Sequence, residues 1–366
     1  MTRRAARLVA VATCTLALGL GAPAGTGGQA PPPGAQLTLD QLVGQRLVFS
    51  YEGTQPPDEL VRRIGRGEAA GVILFTRNIR SRSQLRSTLA RLHAIERPEG
   101  LRAPLLVMID QEGGLVKRMA GPPRRSPAEV GRSGSARLAR REGVATARSL
   151  RGVGINVNLA PVVDVGRPGS SVRELGRSYG GRPGQVSKLA VAFARGLAAG
   201  GVLACAKHFP GLGAGKADED KRINRIGLPL RTLHRIDEAP FAAASAAGVP
   251  LVMVSTGLYP ALDSRPAMFS RRITTDELRG RIGFQGVSIT DDLEVPAARR
   301  LGSPGELALR SAEAGNDLLL YAQSQGAGEQ GARALAQAVQ DGRLPRAEAE
   351  AATARVLGLR ATLAGR

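Results

Sequence analysis

Charged side chains stand at the ends of several short apolar runs in this sequence. Asp110 ends LLVMID and precedes Gln111, Glu112, Gly113 and Gly114. Lys207 and His208 end GVLACAKH, ahead of Phe209, Pro210 and Gly211, and Asp291 and Asp292 end GVSITDD. Any one of these alone reads equally well as a structural ion pair or a cap. Several at equivalent run ends have one shared consequence, a single polar pocket. No Cys/His cluster with metal-ligand spacing accompanies them. The chemistry open to the pocket is therefore acid/base and nucleophilic, and neither a metal nor an organic cofactor is expected.

The runs that carry these residues are short, apolar on both faces and rich in β-branched types. They cover 46–51, 71–75, 104–110, 155–161, 202–208, 250–255, 286–291 and 317–321, and they read as buried parallel strands. Amphipathic stretches lie between them. In 83–96, Leu85, Leu89 and Leu92 recur at helical spacing with arginines on the other face. Similar patterns cover 136–150, 185–197, 233–247 and 306–314, and a last helix is expected over 346–363 after Pro345. About eight strand–helix units in about 330 residues have the count and size of a (β/α)8 barrel of the TIM type, in which functional side chains gather where strands end. A doubly wound sheet shares the alternation, but no glycine-rich phosphate-binding turn follows the first strand. No low-complexity linker divides residues 37–366, which read as one domain.

Composition narrows the class. The chain has 366 residues, 43% hydrophobic and 22% charged, and so can bury a real core. Arg3, Arg4 and Arg7 precede an apolar run over 8–20, and Ala22, Pro23 and Ala24 offer a small-residue cleavage site. This is the order of a secretory signal peptide over 1–24, followed by a Gly/Pro-rich linker over 25–36. Thr13 stands before Cys14 where a lipid-attachment motif wants a smaller residue, so a free exported form is expected, extracellular or in the cell envelope. No later apolar run is long enough for stable membrane insertion. Cys205 then has no partner for a disulfide, and its apolar surroundings make it a small core residue. Lysine and arginine total 51 against 31 acidic residues, a net charge of +20. The basic residues are scattered rather than clustered, and aromatics are 3% with no Trp. A nucleic-acid partner is therefore not expected.

Six segments together resemble a known family. They are GVILFTRNI (71–79), IDQEGGLVKR (109–118), NLAPVVDV (158–165), GRSYG (176–180), KHFPGLG (207–213) and GFQGVSITDDLEV (283–295). They are similar to the signature blocks of glycoside hydrolase family 3, in particular its single-domain β-N-acetylglucosaminidase (β-N-acetylhexosaminidase) branch. The resemblance runs in order from about residue 41 to 363. It implies a retaining hydrolase that acts through a covalent glycosyl-enzyme on N-acetylglucosamine-containing oligosaccharides of cell-wall or chitin type. By that resemblance Asp291 is the nucleophile and Asp292 a supporting carboxylate. Asp110, Arg118, Arg177, Lys207 and His208 match the substrate-binding positions, with donors and acceptors suited to sugar hydroxyls.

The acid/base loop departs from the pattern. Members of this branch usually read KHFPGHG and then place an Asp–His dyad a few residues on. Here the text is KHFPGLGAGKADEDKR, with Leu212 at the second His, Asp218 at the dyad Asp and Asp220 at the catalytic His. Thr256 stands where relatives often place a further His. His93 and His234 lie in helical stretches and read as structural. A carboxylic acid can replace the dyad if burial or like charges raise its pKa. Glu219 and Asp218 beside Asp220 would do so, whereas Lys216, Lys221 and Arg222 pull the other way. From the sequence, Asp220 is at best a weak acid. A catalytically weakened, glycan-binding paralogue at the cell envelope therefore stands as the alternative.

Overall fold

In the computed structural model, residues 37–364 are described, so the expected signal peptide and linker lie outside the described residues. Eight parallel strands close a barrel: β1 (Leu47–Phe49), β2 (Gly71–Leu74), β3 (Leu106–Ile109), β4 (Val157–Asn158), β5 (Leu203–Phe209), β6 (Leu251–Val254), β7 (Val287–Asp292) and β8 (Leu318–Leu320). Each pairs with its sequence neighbours. β1 closes the ring against β8, with Leu47 opposite Leu319 and Val48 opposite Leu320. The eight expected strands are these eight, most of them trimmed and those at Leu203–Phe209 and Val287–Asp292 running one residue further.

Alternation along the strands divides the apolar residues into two clusters. Val48, Ile73, Met108, Val157, Cys205, Met253, Ile289 and Leu318 belong to a cluster with members from every barrel strand, which fills the interior. Leu47, Phe49, Val107, Ile109, Ala206 and Val252 belong to the larger cluster between strands and helices. Cys205 is a buried free thiol within the interior set, and burial pushes its pKa up. The last helix, Arg346–Ala361, adds Val356 and Leu359 to the same cluster. Its Arg360 donates to the carbonyls of Leu101 and Pro104 ahead of β3. That end of the barrel is plugged, and the opposite end, where strands finish, is left to form a site.

The helices include every expected stretch, one of them altered, and add others, among them Asp58–Gly65, Pro127–Ser133 and the π-helical Arg272–Arg281. Residues 233–247 are not one continuous α-helix: a π-helical turn at Leu233–Asp237 precedes an α-helix at Ala239–Ala246. A helix at Gln325–Gln340 was not anticipated, because Gly326, Gly328 and Gly331 interrupt its apolar pattern. Packing makes two of these glycines necessary. A Cβ at Gly328 would meet the Phe49 ring at 2.6 Å, and one at Gly331 would meet the Tyr321 hydroxyl at 2.2 Å.

Candidate active site

The open end of the barrel holds a cavity of about 280 Å³. Asp110, Arg118, Arg177, Lys207, His208, Asp218, Asp220, Asp291 and Asp292 all line it. Every site residue expected from the sequence thus reaches one pocket. Four of them are placed directly by barrel strands: Lys207 and His208 by the end of β5, and Asp291 and Asp292 by the end of β7. A hairpin just after β3 supplies others, with Gln111 opposite Lys117 and Gly113 opposite Val116. Its turn needs Gly113 at φ 103° and Gly114 at φ 65°. The Gln111 amide donates to the carbonyls of Met119 and Pro122, which fixes the return strand and hence Arg118.

The floor of the cavity is a fully paired charge network. Buried Glu112 accepts both arms of the Arg177 guanidinium at 3.0 Å and the Lys207 ammonium at 2.7 Å. Burial alone would raise the Glu112 pKa, but Arg177 and Lys207 hold it well below the usual carboxylate range. Lys207 also reaches Asp110 at 2.6 Å, and Arg118 lies 3.8 Å from the same carboxylate. Burial would lower the Lys207 pKa, yet Asp110 and Glu112 raise it, so it stays an ammonium.

His208 is oriented from behind. Its Nδ1 pairs with Asp164 Oδ2 at 2.8 Å. Asp164 Oδ1 accepts from the backbone N–H of His208 and from that of Leu212. The Asp164 charge outweighs burial and raises the His208 pKa. Leu212 is buried and serves through its backbone N–H, so the absent second His leaves no gap. Thr256 is buried and does not line the cavity. His93 bonds the Gly154 carbonyl at 2.7 Å and His234 lies 3.2 Å from Glu277, both structural contacts.

Asp291 is the exception in this network. Its Oδ1 accepts from the Asp292 N–H at 2.9 Å, but its Oδ2 is buried with no hydrogen-bond partner among protein groups. Burial pushes its pKa up, with His208 and Lys207 pulling back and Glu219 adding to the rise. Asp292 differs fully. It accepts from the N–H groups of Glu294 and Ala322 and from the Gln323 amide, and so is a structural carboxylate. A free, desolvated carboxylate oxygen beside a paired one is the arrangement of a nucleophile and its support.

The loop at 213–229 brings a third group. Glu219 is buried, bonds Arg177 at 2.5 Å and lies 4.0 Å from His208. Arg177 and His208 overcome the burial penalty and keep its pKa low. Asp220 keeps an exposed edge at the cavity mouth. Withdrawal from water, together with the charges of Asp291, Glu219 and Asp218, pushes its pKa up to about 7. Of the two opposing influences expected from the sequence, the like charges of Glu219 and Asp218 thus outweigh the flanking cations. Lys216, Lys221 and Arg222 are exposed, and Lys221 turns to Asp218 at 3.4 Å. Asp218 is not bonded to Asp220 through a side-chain dyad; its Oδ1 accepts the Asp220 backbone N–H at 3.2 Å.

Three residues of the site had no role assigned from the sequence: Glu112, Asp164 and Glu219 as a partner of Arg177. Glu112 and Asp164 lie inside the IDQEGG and NLAPVVDV segments, where a carboxylate in an otherwise apolar or glycine-rich run was the available signal. Away from the cavity, His234, Glu238 and Glu277 place one possible metal-binding atom each within 4.8 Å of one another among the described residues. Arg281 pairs with both carboxylates there, so their charge is met within the protein.

The sequence matches the glycosyl hydrolase family 3 N-terminal domain over residues 36–359. The chain belongs to this family. A secreted glycosyl hydrolase of Arthroderma benhamiae, itself uncharacterized, is 35% identical over 339 residues, covering 90% of this chain and 96% of that protein. A β-hexosaminidase of Chromobacterium violaceum is 36% identical over 70% of this chain and 73% of its own length. Among solved structures, a glycoside hydrolase family 3 β-N-acetylglucosaminidase from Paenibacillus sp. superposes with a TM-score of 0.85 at 34% identity. The match covers 90% of this chain and 63% of the Paenibacillus protein. The (β/α)8 barrel, the family and the glycosidase class are therefore those anticipated from the six segments.

Proposed function

We propose that the protein is a retaining β-N-acetylhexosaminidase that removes terminal β-linked N-acetylglucosamine, acting outside the cytoplasm on cell-wall or chitin-type glycans. One observation carries the reading. Asp291 offers an unpartnered carboxylate oxygen in the same cavity as a second carboxylate, Asp220, whose pKa of about 7 leaves it largely protonated below neutrality. Retaining hydrolysis needs this pairing of an ionised nucleophile with a protonated acid.

In the first step Asp291 Oδ2 bonds to the anomeric carbon as the bond to the leaving oxygen breaks. Asp220 gives its proton to that oxygen. In the second step ionised Asp220 takes a proton from water, the water oxygen bonds to the anomeric carbon, and Asp291 is released. Asp110, Arg118, Lys207 and His208 hold the hydroxyl and acetamido groups, and the cavity suits one sugar unit. The β-hexosaminidase and β-N-acetylglucosaminidase relatives support the choice of sugar. The secreted Arthroderma relative, together with residues 1–24, supports export.

The test is turnover of an aryl N-acetyl-β-glucosaminide, followed by trapping with a 2- or 5-fluoro sugar and peptide mapping. Label on Asp291 is expected. Label on Asp292, or release of the α-anomer as first product, overturns the mechanism. Binding of N-acetylglucosamine with no turnover of the activated substrate favours the glycan-binding alternative.

A further inference from the structure

Large apolar side chains exposed among the described residues are Leu115 (73%), Leu175 (42%) and Leu230 (37%). The first two both line the catalytic cavity. An isolated surface leucine needs no explanation. Two from separate segments that line one cavity are not isolated surface leucines, and exposed apolar side chains at a site have a use. Val116 and Val295 line the same cavity. Neither leucine hangs on a loose segment. Leu115 sits in the glycine turn of the hairpin, three residues before Arg118. Leu175 ends the short helix Ser171–Glu174, where its N–H bonds the Ser171 carbonyl at 2.9 Å, two residues before the anchored Arg177.

The mouth offers no free aromatic face. The chain has no Trp, and Tyr51, Tyr179, Tyr259 and Tyr321 are all buried. The Phe75 ring is covered by the guanidinium groups of Arg77 and Arg118, at 4.6 and 5.4 Å from its centroid. A sugar in the leaving-group position is ordinarily gripped by stacking on such a face. Here the charged set occupies the floor, where the glycone must lie, and the two exposed leucines line the same cavity as the acid Asp220 at its mouth.

Resting on the glycosidase reading above, we infer that Leu115 and Leu175 form a leaving-group subsite for apolar surface, so that among N-acetyl-β-glucosaminides those whose leaving group carries an aliphatic portion are preferred over those with a bare sugar. A methylene transferred from water to apolar surface is worth about 0.8 kcal/mol at full burial, or roughly fourfold in affinity. The partial cover given by two leucines sets the expectation at about two- to threefold per methylene over the first few carbons.

A series of alkyl 1-thio-N-acetyl-β-glucosaminides, from methyl to hexyl, tests this on the full chain by calorimetry. The thioglycosides are bound without being cleaved, so the result does not depend on the catalytic reading, which the aryl-substrate assay tests separately. In wild type Kd is expected to fall two- to threefold per methylene. In L115S/L175S the slope should collapse while N-acetylglucosamine, which reaches only the floor, serves as the reference for an intact site. A flat series in wild type, no binding at any length, or a slope that survives the double substitution overturns the assignment.

Discussion

The floor and the loop of the active site are held in contrasting ways. On the floor, Asp110, Glu112, Arg177, Lys207 and His208 each meet an opposite charge at 3.0 Å or less, and most are buried. They come from strand ends and a pinned hairpin, except Arg177, which follows the short helix Ser171–Glu174. The loop carrying Asp218–Asp220 is held mostly through its backbone: the Gly213, Gly215 and Asp220 carbonyls accept from the N–H groups of Arg167, Ser171 and Ala297, Ile226 and Asn224 bond Leu258, and Glu219–Arg177 is its short ion pair to the floor. Its lysines are exposed. On the reading proposed above, sugar recognition is built into strand-anchored, charge-paired residues, and the proton donor, Asp220, rides on a loop outside the barrel strands.

The sharpest break of that comparison is at Asp291. D291A is expected to lower kcat by at least about 10⁴-fold, as nucleophile removal does elsewhere. Thermal stability should hold or rise, because a desolvated carboxylate without a partner is removed. Differential scanning calorimetry beside single-turnover kinetics measures both. A large fall in Tm would mean Asp291 belongs to the structural network after all.

Glu112 tests the claim that the floor is a folded charge cluster. E112Q leaves Arg177 and Lys207 short of their buried counter-charge, and a loss of about 3–5 kcal/mol in denaturant unfolding is expected. The folded pKa of Glu112 is depressed. Its stabilisation is therefore present above the unfolded value, about 4.3, and is lost as pH falls below it. The gap between wild type and E112Q should narrow in acid. A gap that stays constant with pH would place the cost in packing rather than charge.

The loop should behave as a catalytic part alone. D220N is expected to slow alkyl or sugar leaving groups by about 10²–10⁴-fold and a nitrophenyl group far less in the first step. Because the Asp220 pKa is raised to about 7 and the acid must be protonated, wild-type kcat/KM should fall as pH rises through about 7. D220N should lose that limb while its stability holds or rises above about pH 4, because a carboxylate whose folded pKa is raised costs stability once it ionises. Equal effects on both leaving groups would put the proton elsewhere.

How much of this was legible in the sequence follows from the same division. The strands were readable because parallel barrel strands are apolar on both faces. The pocket residues were readable because a barrel puts strand ends in one place. Partnerships were not readable. Nothing in the text shows that Glu219 turns inward to Arg177, or that Lys221 turns to Asp218 and leaves Asp220 without a cation. The helix at Gln325–Gln340 was missed for a related reason: its glycines are demanded by the rings of Phe49 and Tyr321, which are distant in sequence.

The smallest expected effect separates two roles for Glu219. Its charge raises the pKa of Asp220 and also that of Asp291. E219Q removes the charge but keeps a group that can bond Arg177. If electrostatics is what Glu219 contributes, both limbs of the kcat/KM profile should move to lower pH. The acid limb moves because Asp291 ionises earlier, and the basic limb because Asp220 loses its proton earlier. The two carboxylates are coupled, so the limbs report the pair rather than either residue alone. If Glu219 only docks the loop, activity should fall at every pH with both limbs in place, and E219A should fall further than E219Q. A shift of both limbs with little loss of maximum rate would show that the loop tunes the floor as well as closing over it.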